Sequence, residues 1–352
     1  MAAESDGALA MRGKGRALYV SESGTAYVSR GYSLYRSSDW GRHWELDSFI
    51  RVPIRRAWRF QTHLVQRLFR SQLHTMELLD DGARVVVARN GLFRADPDGT
   101  EMELVFEITR GSRPLNLAVD GAGRLVWGEY GQNPGRREMH VYVSEDGGRT
   151  FSVAFTFPAG SIRHVHGLTY DPYLERFWVF TGDYDAEPGI GIFTPGLDDL
   201  TWIARGVQSC RAVQAIVRRD DLLFCTDTEL ETNAIVRLDK QTGRITRLRD
   251  VEGTSFFAEK CGAVMLISTV VEPSKVNRSR HAVVYASLDG ESWKPVLRRV
   301  KDRLPHIFQL GTIVLAKSRA HASRALISGQ SVSGMDNRVG VLDFVSNEDG
   351  EP

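Results

Sequence analysis

The stretch Ser144–Phe151, SEDGGRTF, decides how this chain is read. Its spacing recurs in Ser37–Trp44, SSDWGRHW, and returns one residue shorter in Ser287–Trp293, SLDGESW. Each copy follows a short strand-like run (SLYR, HVYV, VVYA) and precedes another (WELDSF, FSVAFTF, WKPVLRR). The chemistry is that of a self-sufficient hairpin turn. A Ser hydroxyl and an Asp carboxylate satisfy nearby backbone amides, and a Gly takes a conformation other residues avoid. The aromatic that follows is placed to return to a core between sheets. A turn repeated in this way specifies a repeating architecture before it specifies any reaction.

These residues, S-x-D-x-G-x-x-[WF], resemble the Asp-box or BNR repeat of sialidase-like β-propellers. The resemblance implies an all-β propeller of four-stranded blades. It places the repeat on the turn between the third and fourth strands, remote from any active site. The three boxes therefore speak for fold and local packing, not for chemistry.

Strand-like runs recur along the rest of the chain in units of about 40 to 45 residues, the blade period. Examples are HTMELL–ARVVVAR–GLFRAD–MELVFEI and HVHGLTYD–RFWVFTGD–IGIFTP–TWIARG. Turn signals such as DDGA, DPDG, DGAG and DKQTGR separate them. This reading gives seven blades, or six if the two terminal segments share one, with the ring closed by N- and C-terminal strands. It assigns residues 1–15 to a flexible N-terminus, 16–346 to a single propeller and 347–352 to a flexible tail. Residues 49–73 form the one stretch suited to a helix, as an insertion between the first two blades.

The 352 residues carry 45 basic and 44 acidic side chains, a formal net charge of +1. That balance argues against a nucleic-acid-binding face or a polybasic membrane anchor. No apolar run is long enough to span a bilayer. The opening MAAESDGALAMRGKGRALYV has no apolar core segment, so no secretory signal is read and a cytoplasmic location is expected. Cys210, Cys225 and Cys261 form no CxxC pair and sit in apolar flanks, as reduced core residues would.

The resemblance also implies where a site would lie: where the loops leading into the innermost strands meet those joining second to third strands. The first set carries Arg70, His74, Arg113, Asn116, Arg163, His164, His166, Arg211 and His306. The second carries Arg89, Asn90, Glu129, Tyr130, Asp183, Asp185, Asp227, Glu229 and Glu272. Basic and imidazole groups thus gather at strand starts and carboxylates in the loops. Convergent polar groups at a concave mouth are the usual address of a small-molecule site. His164 and His166 are two apart and share one side of a strand. Asp183 and Asp185 end the neighbouring strand. The set offers a His–carboxylate acid/base pair. Its donors also admit a divalent metal, although no H-E-x-x-H motif is present and no cofactor is expected. Glu129 and Tyr130 are neighbours, so a strand turns only one of them toward the channel.

Two function classes follow. The first is a carbohydrate-active enzyme, a glycoside hydrolase or uronate lyase. His164, His166, Asp183, Asp185, Glu129 and Tyr130 would supply the chemistry. Arg70, His74, Arg113, Arg163, Arg211, Asp227 and Glu229 would hold an acidic sugar or other small anionic substrate. A true sialidase is not expected, because the family's F/Y-R-I-P motif is absent and RVPI at 51–54 is a poor echo of it. The alternative is a non-catalytic propeller that binds a glycan or a protein partner and serves in assembly.

Overall fold

A computed structural model of the chain describes residues 8–52 and 62–344. Over those residues the chain is built almost wholly from antiparallel four-stranded meanders. Three form separate sheets running Thr75–Glu107, Ala118–Phe157 and Ile216–Asp250, and a fourth runs His164–Arg205. The meander Arg16–Phe49 gains a short parallel strand, Lys317–Ser318, against Arg16–Val20. An eight-stranded sheet joins the meander Thr254–Val300 to a last group. They meet where Val270 and Val271 pair with Thr312 and Gly311. That last group holds Gly311–Leu315, Arg324–Gln330, Arg338–Asp343 and, on its outer edge, Ala8–Lys14.

Within each meander the sequence pattern sorts strands by depth. Arg84–Ala88 (RVVVA) and Val264–Val271 (VMLISTVV) are buried at every position. Outer strands such as Glu103–Glu107 and Ile245–Asp250 are mostly exposed or half-buried. Near-continuous apolar runs suit strands covered on both faces.

The cores lie between sheets, not within them. Val85, Val87 and Leu92 of one sheet pack against Leu117, Leu125 and Trp127 of the next. Trp178 and Phe180 meet Leu222 and Phe224 in the same manner. One such cluster joins Val20 and Val28 of the Arg16–Phe49 sheet to Leu326, Val339 and Val341 near the other end of the chain.

The three repeated turns have one geometry. In each, the Ser hydroxyl donates to the Asp carboxylate at 2.7–2.9 Å. The same hydroxyl accepts the Gly amide at 2.8 Å. The glycines hold φ of +83°, +77° and +78°. Trp44, Phe151 and Trp293 return to three different inter-sheet cores. All three turns join the third and fourth strands of their meanders. The segment PGLDDLTW takes this position in the His164–Arg205 sheet. There Thr194 Oγ1 donates to Asp198 Oδ1 at 2.5 Å, a different solution to the same turn.

The N-terminal segment departs from the sequence reading. Ala8–Lys14 is a strand, with Ala8 opposite Asp343 and Met11 opposite Gly340. Leu9 and Met11 pack onto the core of the eight-stranded sheet, which supplies the reason for order. Sheet structure therefore begins at Ala8 and not at residue 16. The first seven residues and the tail 347–352 lie outside the described residues. Within 49–73 a helix runs His63–Phe69, capped by Thr62 and ended by Arg70 at φ 50°. Residues 53–61 of that stretch are also outside the description. Cys210, Cys225 and Cys261 are buried, free thiols.

Candidate functional site

The strand His164–Asp171 is the inner strand of its sheet, and Arg176–Gly182 pairs with it so that His164 faces Gly182. A register shift between Val165 and Gly167 lets His164 and His166 both reach the residue after Gly182. That residue, Asp183, is the hub of the site. His166 Nε2 lies 2.9 Å from its Oδ1, and His164 Nε2 lies 3.5 Å from the same atom. Arg163 Nη1 donates to Oδ2 at 2.8 Å. Arg211 Nη2 stands 3.0 Å from Oδ1, reaching across from the linker to the next sheet. Arg211 also donates to Glu229 Oε2 at 2.5 Å and lies 3.8 Å from Asp227 Oδ2.

Side chains behind the hub hold it in place. Gln208 Nε2 donates to the Asp183 carbonyl at 3.0 Å, and Thr228 Oγ1 donates to Gln208 Oε1 at 2.7 Å. Asn233 Nδ2 ties the next loop to Asn277 Oδ1 at 2.9 Å. Tyr130 covers the imidazoles, its ring centroid 4.4 Å from that of His164.

The electrostatics follow from burial. Burial holds His166 below the ordinary histidine value, against the pull of Asp183. Burial drives Asp227 well above the carboxylate range, with Arg211 opposing and Glu272 adding to the rise. Glu272 is raised by burial as well, and its neighbours Glu229 and Asp183 contribute.

The other predicted residues lie apart from the Asp183 hub. His74 and Arg113 lie with Arg16 and Arg70 in a basic group. Arg16 Nε donates to the His74 carbonyl at 3.0 Å. Burial, helped by Arg113, Arg16 and Arg70, keeps His74 well below its ordinary value, and burial with Arg70 brings Arg113 down to about 10. Arg70 itself is an exposed helix end. Glu129 turns away from the imidazoles. Its carboxylate accepts from the His140 amide at 2.9 Å, Arg110 at 3.0 Å and the Tyr142 hydroxyl at 3.3 Å. Asp185 is exposed, in left-handed backbone at φ 52°, in a loop that does not continue the strand. His306 is exposed in a short 3-10 turn.

Sequence reasoning missed three contributors. Arg67, buried on the helix, donates to Asp302 at 2.6 Å, Asp336 at 3.0 Å and Ser331 at 2.6 Å, stitching the helix to two loops. Arg110 neutralises Glu129. Glu187 pairs with Arg136 and accepts the Asp183 amide at 3.3 Å. No local spacing announces any of these contacts.

A separate cavity of about 510 Å³ is lined by later residues of several inner strands, among them Tyr170, Val217, Glu259 and Lys317. His164, His166 and Asp183 do not line it.

No family model and no curated protein matches the chain. Solved structures do. One is a chain from the crystal structure of a mitotic checkpoint complex, 9% identical with a TM-score of 0.59, covering 97% of this chain and 96% of that one. Another is the WD40 β-propeller domain of Doa1, 13% identical with a TM-score of 0.58, covering 97% of each chain. At these identities the likeness shows the fold: an all-β architecture of four-stranded blades like those of WD40 propellers. Among the described residues no helix is long and apolar enough to cross a membrane.

Proposed function

We propose that this chain is a non-catalytic β-propeller that binds a protein partner through its channel face and serves in assembly. Its strands make seven four-stranded blades. The pairing of Ala8–Lys14 with Arg338–Asp343 supports closure of the ring by the two chain ends. The shared turn geometry supports membership of the Asp-box group.

The observation that carries this reading is the state of the carboxylates. Hydrolysis or elimination needs an acid and a base free to reach substrate. Asp183 is committed to two arginines and two imidazoles, and Glu129 to Arg110 and a backbone amide. These contacts fasten loops in place. The same loops and linkers present exposed apolar side chains: Leu64, Leu68, Val207, Leu230, Val276 and Ile307. Each sits in a blade-to-blade linker or a second-to-third-strand loop, so the topology sets all of them on one face. Apolar residues around a rigid charged mouth suit a protein partner better than a sugar. The resemblance in shape to a chain of a checkpoint assembly points the same way.

The test is turnover. Acidic oligosaccharides and sialyl conjugates, incubated with the protein, are expected to yield neither new reducing ends nor unsaturated uronate. Cleavage that disappears in His166→Gln or Asp183→Asn would overturn the reading in favour of the carbohydrate-active enzyme.

A further inference from the structure

His164, His166 and Asp183 have one feature that fastening alone leaves unexplained. Each imidazole Nδ1 faces a backbone carbonyl, His164 that of Gly131 at 2.6 Å and His166 that of Ala212 at 3.0 Å. A carbonyl only accepts, so each Nδ1 carries the proton. In a neutral imidazole the Nε2 atom is then a bare lone pair. Both Nε2 atoms point at the same carboxylate oxygen. Arg211 Nη2 also reaches that oxygen, at 3.0 Å, but it leaves the two lone pairs without a proton or cation of their own. The His164 Nε2 atom is buried and without a hydrogen-bond partner, on a residue only 5% exposed.

We propose that His164 Nε2, His166 Nε2 and Asp183 Oδ1 bind a divalent transition-metal ion of the zinc class, leaving its remaining position to water or a partner's side chain. The donor set is right: two imidazoles and one carboxylate suit such ions. The spacing is right as well. Bonds of about 2.0 Å in tetrahedral array put neighbouring ligands ~3.3 Å apart. The two Nε2 atoms lie 2.9 and 3.5 Å from Asp183 Oδ1, and all three donor atoms fall within 4.8 Å of one another. An Nδ1–H bound to a carbonyl is the usual outer contact that orients a metal-ligating histidine. Arg163 on Asp183 Oδ2 orients the carboxylate in the same sense.

The donor geometry is the same whether or not the propeller is a scaffold.

The experiment titrates chelator-stripped protein with Zn²⁺ by calorimetry and with Co²⁺ by visible absorption. One ion per chain is expected, with micromolar or tighter affinity and the visible bands of a low-coordinate, imidazole-bound Co²⁺. His166→Gln is expected to weaken binding by about 100-fold or more, the upper end of what even outer contacts cost. His166→Gln also disturbs the Asp183 hub, so His164→Gln serves as the second variant. Its side chain meets the Gly131 carbonyl, Asp183 and the rings of Tyr130 and His166, at the longer 3.5 Å distance from the hub, and circular dichroism checks that the fold persists. Unchanged affinity in both variants overturns the proposal. So does failure of the unaltered protein to bind either ion; imidazole nitrogen NMR signals showing both rings doubly protonated at neutral pH would then assign the cluster to protons in place of a metal.

Discussion

Replacing Gly148 by Ala tests whether the repeated turn acts between sheets or only within its own hairpin. Gly148 holds φ +77°, which costs an L-residue about 1–2 kcal/mol. An added Cβ would also stand 2.6 Å from Val85 Cγ2 on the preceding sheet. Val85 is fully buried, and forcing a methyl against it costs about 1–3 kcal/mol more. The sum is about 2–5 kcal/mol. Gly123 is the matched control in the same sheet. It holds φ +80°, but its added Cβ meets nothing within 4 Å, so only the backbone cost of about 1–2 kcal/mol applies. The assay is urea unfolding, comparing midpoints at unchanged slope. Gly148→Ala should lose about 1–3 kcal/mol more than Gly123→Ala. Val85→Ala removes the offending Cγ2 and should recover that difference in the double variant, giving a coupling of the same size. Equal losses at the two glycines, or no coupling with Val85, would refute the claim that the turn seats against the neighbouring sheet.

Three further outcomes follow from the same reasoning. Burial pushes Glu259 up to about 7, with Lys317 and Gln214 opposing. The folded protein therefore holds this proton more tightly than the unfolded chain does. Stability should fall as pH rises from the ordinary glutamate range of 4.5 toward 7, by up to about 3 kcal/mol, and Glu259→Gln should flatten that part of the thermal-midpoint profile. Lys240 Nζ lies 2.6 Å from Asp171 Oδ2 with Asp171 wholly buried, so Lys240→Met leaves that charge to Trp178 Nε1 and two backbone amides, with no cation on it, and should cost about 3 kcal/mol by chemical unfolding. On the channel face, Leu230→Asp and Ile307→Asp should leave the unfolding midpoint within about 0.5 kcal/mol, because these side chains are 53% and 71% exposed. The same changes should abolish capture of the partner in an equilibrium binding assay.

What the sequence revealed tracks how local each interaction is. The turns Ser37–Trp44, Ser144–Phe151 and Ser287–Trp293 form their own hydrogen bonds, so spacing alone announced them. His164, His166 and Asp183 were legible as a cluster because a two-residue period and a hairpin bring them together. Asp185 was grouped with them wrongly. The strand ends at Gly182, and the loop beyond it turns Asp185 outward. Parity left open which of Glu129 and Tyr130 faces the channel, and only Arg110 and Tyr142 decide it. Ala8–Lys14 could not be read as a strand from its own residues, because its partners lie at the far end of the chain. The same distance hid Arg67 and its contacts to Asp302 and Asp336.

The measurement that most directly tests the central claim is site-specific photo-crosslinking in cells. A photoreactive residue is placed at Leu230 or Ile307 on the channel face, and in a separate protein at Leu288, which is 74% exposed in a third-to-fourth-strand turn. The account predicts one discrete protein adduct from both channel-face positions, suppressed by Asp at the companion position, and none from Leu288. Adducts from Leu288 alone, or indiscriminate adducts from all three positions, would contradict a channel-face docking surface.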